Sequence, residues 1–166
     1  MSPPGCEASN GTKTRRPGPE GVRAAERKET SVVSLKVNHR EIQARKGEML
    51  LTALRRAGID IPTLCHIDGL FPSGACRMCV VEVEGAKGLV PSCAMPVADG
   101  MEVKTHSPRV MVARKTIIEL LLADHPDDCL YCPRNGKCEL QDLAENLGVR
   151  QRRYTGEKNT HYIDTS

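Results

Sequence analysis

Seven of the eight cysteines lie between residues 65 and 138, and their spacing divides them into two groups that could each hold iron. In the first, ten residues separate Cys65 from Cys76, two separate Cys76 from Cys79, and thirteen more lead to Cys93. A two-residue gap lets a tight loop turn both sulfurs inward, while the outer two must be brought in from either side. Four thiolates gathered at one point suit a 2Fe-2S cluster, two to each iron. Cluster and thiolates together carry a formal charge of about −2. Such a charge, partly buried, has to be met by many weak donors, and backbone N–H groups are the ones available. Gly69, Gly74 and Gly85 let the main chain approach closely, and Arg77 between the paired cysteines offers a positive charge. Zinc also binds four thiolates, but structural zinc sites usually combine two closely spaced couples, and only one couple is present here.

The second group is His125, Cys129, Cys132 and Cys138, with gaps of three, two and five residues. One imidazole and three thiolates at these distances can surround a cubane 4Fe-4S cluster. An imidazole in place of a fourth thiolate makes the cluster one unit less negative, which by itself raises its potential. The free ring nitrogen can take a hydrogen bond, so that a proton follows an electron. Two plainer roles stay open: His125 as a helix-end residue paired with the dipole, and a zinc site built from the same four side chains.

The rest of the 166 residues must position these groups. With 39% apolar residues, no Trp, one Phe and three Tyr, any core is built from Leu, Ile, Val and Met. Small cores of that kind are marginal, and metal clusters then contribute directly to folding. A net charge of +3 selects no class of partner, and basic residues do not cluster between aromatics, which argues against nucleic acid. No stretch approaches the roughly eighteen apolar residues of a membrane helix. Eight cysteines without a secretion signal point to a reducing compartment and to metal chemistry over disulfides.

Residues 1–30, poor in large apolar side chains, are expected to form a disordered tail, with Cys6 a spare thiol. Val33, Leu35 and Val37 alternate with polar residues as in a half-buried strand. A turn at Asn38-His39 then leads into Arg40 to Arg45, where Ile42 is the expected inward residue. A helix is expected from Gly47 through Ala57, closed by Gly58, with Arg55 and Arg56 in its last turn. Val80 to Val83 reads as a strand leaving Cys79, Leu89-Val90 leads into Cys93, and Met101 to Val103 supplies a last short strand. His66 lies beside Cys65, but the sulfur set is complete without it. A second helix begins at Pro108, capped by Ser107, and runs to about Ala123. Its expected inner face is Val110, Ala113, Ile117, Leu120 and Leu121, widened by Met111, Ile118 and Leu122, broad enough for contact on two sides. Asn135-Gly136 turns the chain back to Cys138, where a helix bearing Leu140, Leu143, Ala144 and Leu147 starts.

Four phrases carry a family resemblance: Gly74-Ala75-Cys76-Arg77-Met78-Cys79, Ser92-Cys93-Ala94-Met95-Pro96, His125-Pro126-Asp127-Asp128-Cys129 and Cys138-Glu139-Leu140-Gln141-Asp142-Leu143. From about residue 31 to its end the chain resembles the N-terminal region of the large iron-sulfur subunit of complex I. It is more similar still to the matching region of NAD-linked, electron-bifurcating iron-only hydrogenases and NAD-dependent formate dehydrogenases. The resemblance implies an α+β chain: a β-grasp 2Fe-2S ferredoxin-like domain over 31–106, then a small helical 4Fe-4S domain over 107–149 with one His and three Cys ligands. Residues 150–166 form a C-terminal extension. It further implies 2Fe-2S on Cys65, Cys76, Cys79 and Cys93, and 4Fe-4S on His125, Cys129, Cys132 and Cys138.

No active-site cluster motif, molybdopterin or nickel site, or Gly-rich dinucleotide fingerprint occurs in the 166 residues, so the chain is not expected to catalyse alone. The expected role is electron relay between a flavin, NAD(P)H-oxidising subunit and a catalytic or further iron-sulfur subunit of one complex. That complex would be a hydrogenase, formate dehydrogenase or NADH dehydrogenase, in the cytoplasm or on the cytoplasmic face of a membrane, without membrane insertion by this chain. The alternatives are a zinc-stabilised interaction module and an iron-sulfur redox sensor.

Overall fold

The structure is a computed structural model that describes residues 31–158. The expectations for residues 1–30, Cys6 included, and for the chain beyond residue 158 lie outside the described residues.

The period-2 pattern produces strand β1 (Val32–Val37), with Val33, Leu35 and Val37 buried, and strand β2 (Arg40–Arg45) returns beside it. Val37 pairs with Arg40, so the hairpin turns on Asn38 and His39 alone, both with positive φ (47° and 70°). Two-residue turns of this hand match strand twist, and Asn is among the residues that tolerate it. Asn38 also ties the hairpin to the end of the adjacent strand that follows in the sheet: Thr105 N donates to its Oδ1 at 2.9 Å. In β2 the buried residue is Ala44, and Ile42, the expected one, is only half-buried. β2 is an edge strand that helix α1 (Leu50–Arg56) covers at one end, where Arg56 donates to Gln43 O at 3.0 Å.

Strand β3 (Val80–Val83), the short strand β4 (Val90–Pro91) and β5 (Glu102–Lys104) complete a mixed sheet in the order β2-β1-β5-β3-β4. β1 and β5 are parallel, and the other pairs are antiparallel. α1 buries Leu50, Leu51, Ala53 and Leu54 in one core with Leu35, Val37, Ile61, Val81 and Val103. Full burial of each such aliphatic side chain is worth about 1.5–3 kcal/mol. The helix begins at Leu50, later than Gly47, and ends as expected: Gly58, at φ 75°, and Ile59 return N–H groups to Arg55 O and Leu54 O.

Helix α2 (Pro108–Asp124) starts where the N-cap signal places it, with Val110 N donating to Ser107 Oγ at 3.3 Å. Its buried side differs from the apolar stripe read from the sequence. The buried residues are Val110, Arg114, Ile118, Glu119 and Ala123, whereas Met111, Leu120 and Leu121 are exposed. Two charged residues can lie inward because each finds a partner, Val80 O for Arg114 and Arg153 for Glu119. Helix α3 (Glu139–Asn146) packs against α2, yet none of its residues is fully buried; Leu140, Leu143 and Ala144 are half-buried, as is Leu147 at its end.

Candidate metal centres

Cys65, Cys76 and Cys79 lie on the loop between α1 and β3, and Cys93 lies in a 3-10 turn (Ser92–Ala94) immediately after β4. Sheet register brings the last two together. Val80 pairs with Pro91, and one step further Ser92 N donates to Cys79 O at 3.1 Å while Ser92 Oγ donates to the same carbonyl at 2.8 Å. Cys79 and Cys93 are both buried at this end of the hairpin, and Cys65 and Cys76 are half-buried. The chain after Cys93 is held to the start of α1 by Leu50 N to Met95 O and Val97 N to Glu48 O, each 2.8 Å.

The loop curls through left-handed backbone at Gly69, Gly74 and, less usually, Arg77 (φ 58°). Gly74 is buried, and a Cβ there would already touch Ala94. Donors reach the Cys65 sulfur, as a thiolate in this loop requires: Cys76 N approaches it at 3.5 Å. The Ser73 hydroxyl, and then the N–H groups of Cys76 and Ala75, pull the Cys65 thiol down to about 7. Burial pushes the Cys93 thiol up to about 12, and the neighbouring Cys79, Cys65 and Cys76 add to the rise. Cys93 therefore senses the other three thiols. Cys65, Cys76, Cys79 and Cys93 are the residues that would hold a 2Fe-2S cluster here, and its two ferric ions would supply the positive charge that four neighbouring thiolates need. Among the described residues no three His, Cys, Asp or Glu side chains converge tightly enough for a single metal ion.

The other predicted residues also meet. His125 caps the C-terminus of α2, Cys129 opens a 3-10 turn (Cys129–Tyr131), Cys132 closes it, and Cys138 caps the N-terminus of α3. A turn with Gly136 at φ 75° carries the chain between the last two, and Lys137 N donates to Arg134 O at 2.9 Å. His125, Cys129, Cys132 and Cys138 line one cavity, closed by Leu122, Leu140, Arg134, Asn135 and Gln141. Soft thiolates, an imidazole and apolar walls are a donor set and environment that a cubane cluster accepts.

The cation buried at this site is not the one the sequence offered. Arg77 is exposed, whereas Arg114, unremarked in the sequence, is 2% exposed and bonded beside Cys79. A cation four residues from both Val110 and Ile118, on what becomes the buried line of α2, was the available signal.

A mixed sheet crossed by one helix, with a cysteine loop running into β3, defines a 2Fe-2S ferredoxin-like α+β protein extended by a second iron-sulfur region. Family comparison agrees: residues 30–108 match the 2Fe-2S iron-sulfur cluster binding domain, and residues 114–153 match the NADH-ubiquinone oxidoreductase-G iron-sulfur binding region. The chain is thus an iron-sulfur electron-transfer unit with a 2Fe-2S and a 4Fe-4S cluster as its cofactors, similar to subunits of NADH dehydrogenases and NAD(P)-linked hydrogenases. It is 47% identical over 137 residues to the NADP-reducing hydrogenase subunit HndD of Solidesulfovibrio fructosivorans, a match covering 80% of this chain and 23% of that one. Against the NADH-ubiquinone oxidoreductase 75 kDa subunit of Reclinomonas americana it is 42% identical over 123 residues, 74% of this chain and 18% of the relative. The crystal structure of an NAD+-reducing [NiFe]-hydrogenase in the H2-reduced state superposes with a TM-score of 0.74 at 31% identity, over 81% of this chain and 56% of that one. The chain thus spans less than a quarter of the length of these two curated relatives.

Proposed function

We propose that this chain relays electrons between a flavin subunit oxidising NAD(P)H and a catalytic or further iron-sulfur subunit of the same complex. The complex is of the hydrogenase, formate dehydrogenase or NADH dehydrogenase kind. In this proposal Cys65, Cys76, Cys79 and Cys93 hold the 2Fe-2S cluster, and His125, Cys129, Cys132 and Cys138 hold the 4Fe-4S cluster. The observation that carries it is the single cavity lined by His125, Cys129, Cys132 and Cys138, which come from two helix ends and the turns between them. The protein's part is to position and tune; the one-electron chemistry belongs to the clusters. Four protein ligands at each site leave no evident open position for a substrate, which favours relay over catalysis by this chain. Among the described residues no helix is long and apolar enough to cross a membrane, and in this reading any membrane complex is reached through other subunits.

Anaerobic isolation tests the assignment: about six irons per chain, two and four, with matching acid-labile sulfide. Dithionite reduction then gives two distinguishable EPR signals, and His125→Ala alters only the second. A colourless chain containing zinc and no labile sulfide overturns the proposal.

A further inference from the structure

We propose that Arg114 is a positioning residue for the 2Fe-2S site: a buried cation, delivered by α2, that pins the backbone beside Cys79 and raises the reduction potential of the cluster. The inference rests on Cys79 holding that cluster, the assignment made under the proposed function.

Arg114 is 2% exposed, and its Nη2 donates to Val80 O at 2.8 Å. The neighbouring carbonyl, Cys79 O, is already held by the backbone and hydroxyl of Ser92. The start of β3 is therefore fastened from two directions, once by the segment leading into Cys93 and once by a helix of the second region. Arginine remains charged at any pH a protein survives, so this fastening brings a permanent positive charge inside. The Nε of Arg114 is buried without a hydrogen-bond partner among the described residues. Burial pushes the guanidinium below its ordinary value, and the charges of Cys79 and then Asp60 oppose that shift.

An apolar side chain of similar volume would fill the same space without the desolvation cost, and such exchanges are often neutral or stabilising for the fold alone. The charge has a use at this position. One-electron reduction adds a negative charge to the cluster, and a cation in a medium of low dielectric constant stabilises that form more than the oxidised one. Arg77 shows the contrast: it sits between two proposed ligands in sequence, but it is exposed and its field is screened by solvent. Arg114 acts through Val80 O and through its field; it ligates nothing.

The test is an EPR-monitored redox titration of the full chain isolated anaerobically, as wild type, Arg114→Gln and Arg114→Lys, with Arg77→Gln as the exposed control. Gln is neutral and keeps a donor for Val80 O; Lys keeps the charge. The expected result is a 2Fe-2S signal retained in all four proteins. In Arg114→Gln the one-electron equilibrium shifts about tenfold toward the oxidised form, about 59 mV by the one-electron constant. Arg114→Lys and Arg77→Gln stay near wild type, and the 4Fe-4S midpoint does not move. An unchanged midpoint in Arg114→Gln overturns the inference, as does an equal drop in the Gln and Lys variants. Collapse of both Arg114 variants overturns it too, since the residue would then be structural only. A wild-type chain with no 2Fe-2S signal instead removes the site assignment on which the inference stands.

Discussion

Ser92 and Gly58 show how much one residue settles. The Ser92 hydroxyl is fully buried and donates to Cys79 O, a carbonyl that also accepts Ser92 N. Ser92→Ala leaves that carbonyl one partner, so the expected cost is about 1 kcal/mol, read as a lowered denaturation midpoint. Gly58 sits at φ 75° with nothing within 4 Å of where a Cβ would lie. Gly58→Ala is therefore opposed by backbone conformation alone, about 1–2 kcal/mol, and leaves both EPR signals in place. Glycines of this sort were legible because conformation is a local property. Ala44 and Arg114 were not, because their burial depends on which element lies across them. Ile42 does pack against the core, as its pattern indicated, but on an edge strand it is only half-buried, and the charge on Arg114 hid a residue that Val80 O makes tolerable inside.

At the scale of elements, the cap signals at Ser107 and Gly58 worked, whereas the expected start of α1 at Gly47 did not. Ser107 with Pro108 marked the start of α2, and Ser107→Ala should lower stability by about 1 kcal/mol through the lost bond to Val110 N, measurable by chemical denaturation. What failed was the choice of inner face on the same helix. Counting apolar residues selected Leu120 and Leu121, which are 49% and 37% exposed, because the count assumed that charges face water. The buried line instead admits Glu119, whose carboxylate takes Arg153 Nε at 2.7 Å and Nη2 at 2.5 Å. Arg153→Ala leaves this carboxylate buried without its guanidinium, so the segment around residue 153 should loosen from α2. Faster amide exchange there, with both clusters still bound, is the expected observation.

For the whole molecule, the sheet and the second region differ in what holds them. Around α1 and the sheet, Leu35, Val37, Leu50, Leu54, Ile61, Val81 and Val103 are almost entirely inaccessible to solvent, a core expected to persist without metal. Beyond α2 no such core exists among the described residues: neither α3 nor the 3-10 turn at Cys129–Tyr131 buries a single residue, and Leu130 and Tyr131 are 86% and 89% exposed. What joins His125, Cys129, Cys132 and Cys138 is the cavity between them, so the free energy of binding a cluster there is largely the free energy of ordering residues 125–147. Clusters removed by chelator under reducing conditions should then have unequal effects. Hydrogen exchange is expected to show the strands and α1 still protected, with α3 and the turns before it exchanging at nearly unfolded rates. Reconstitution with iron and sulfide should restore their protection. Equal loss of protection in both regions would mean that the sheet also depends on its metal; continued protection of α3 in the apo chain would mean that packing against α2 holds it without one.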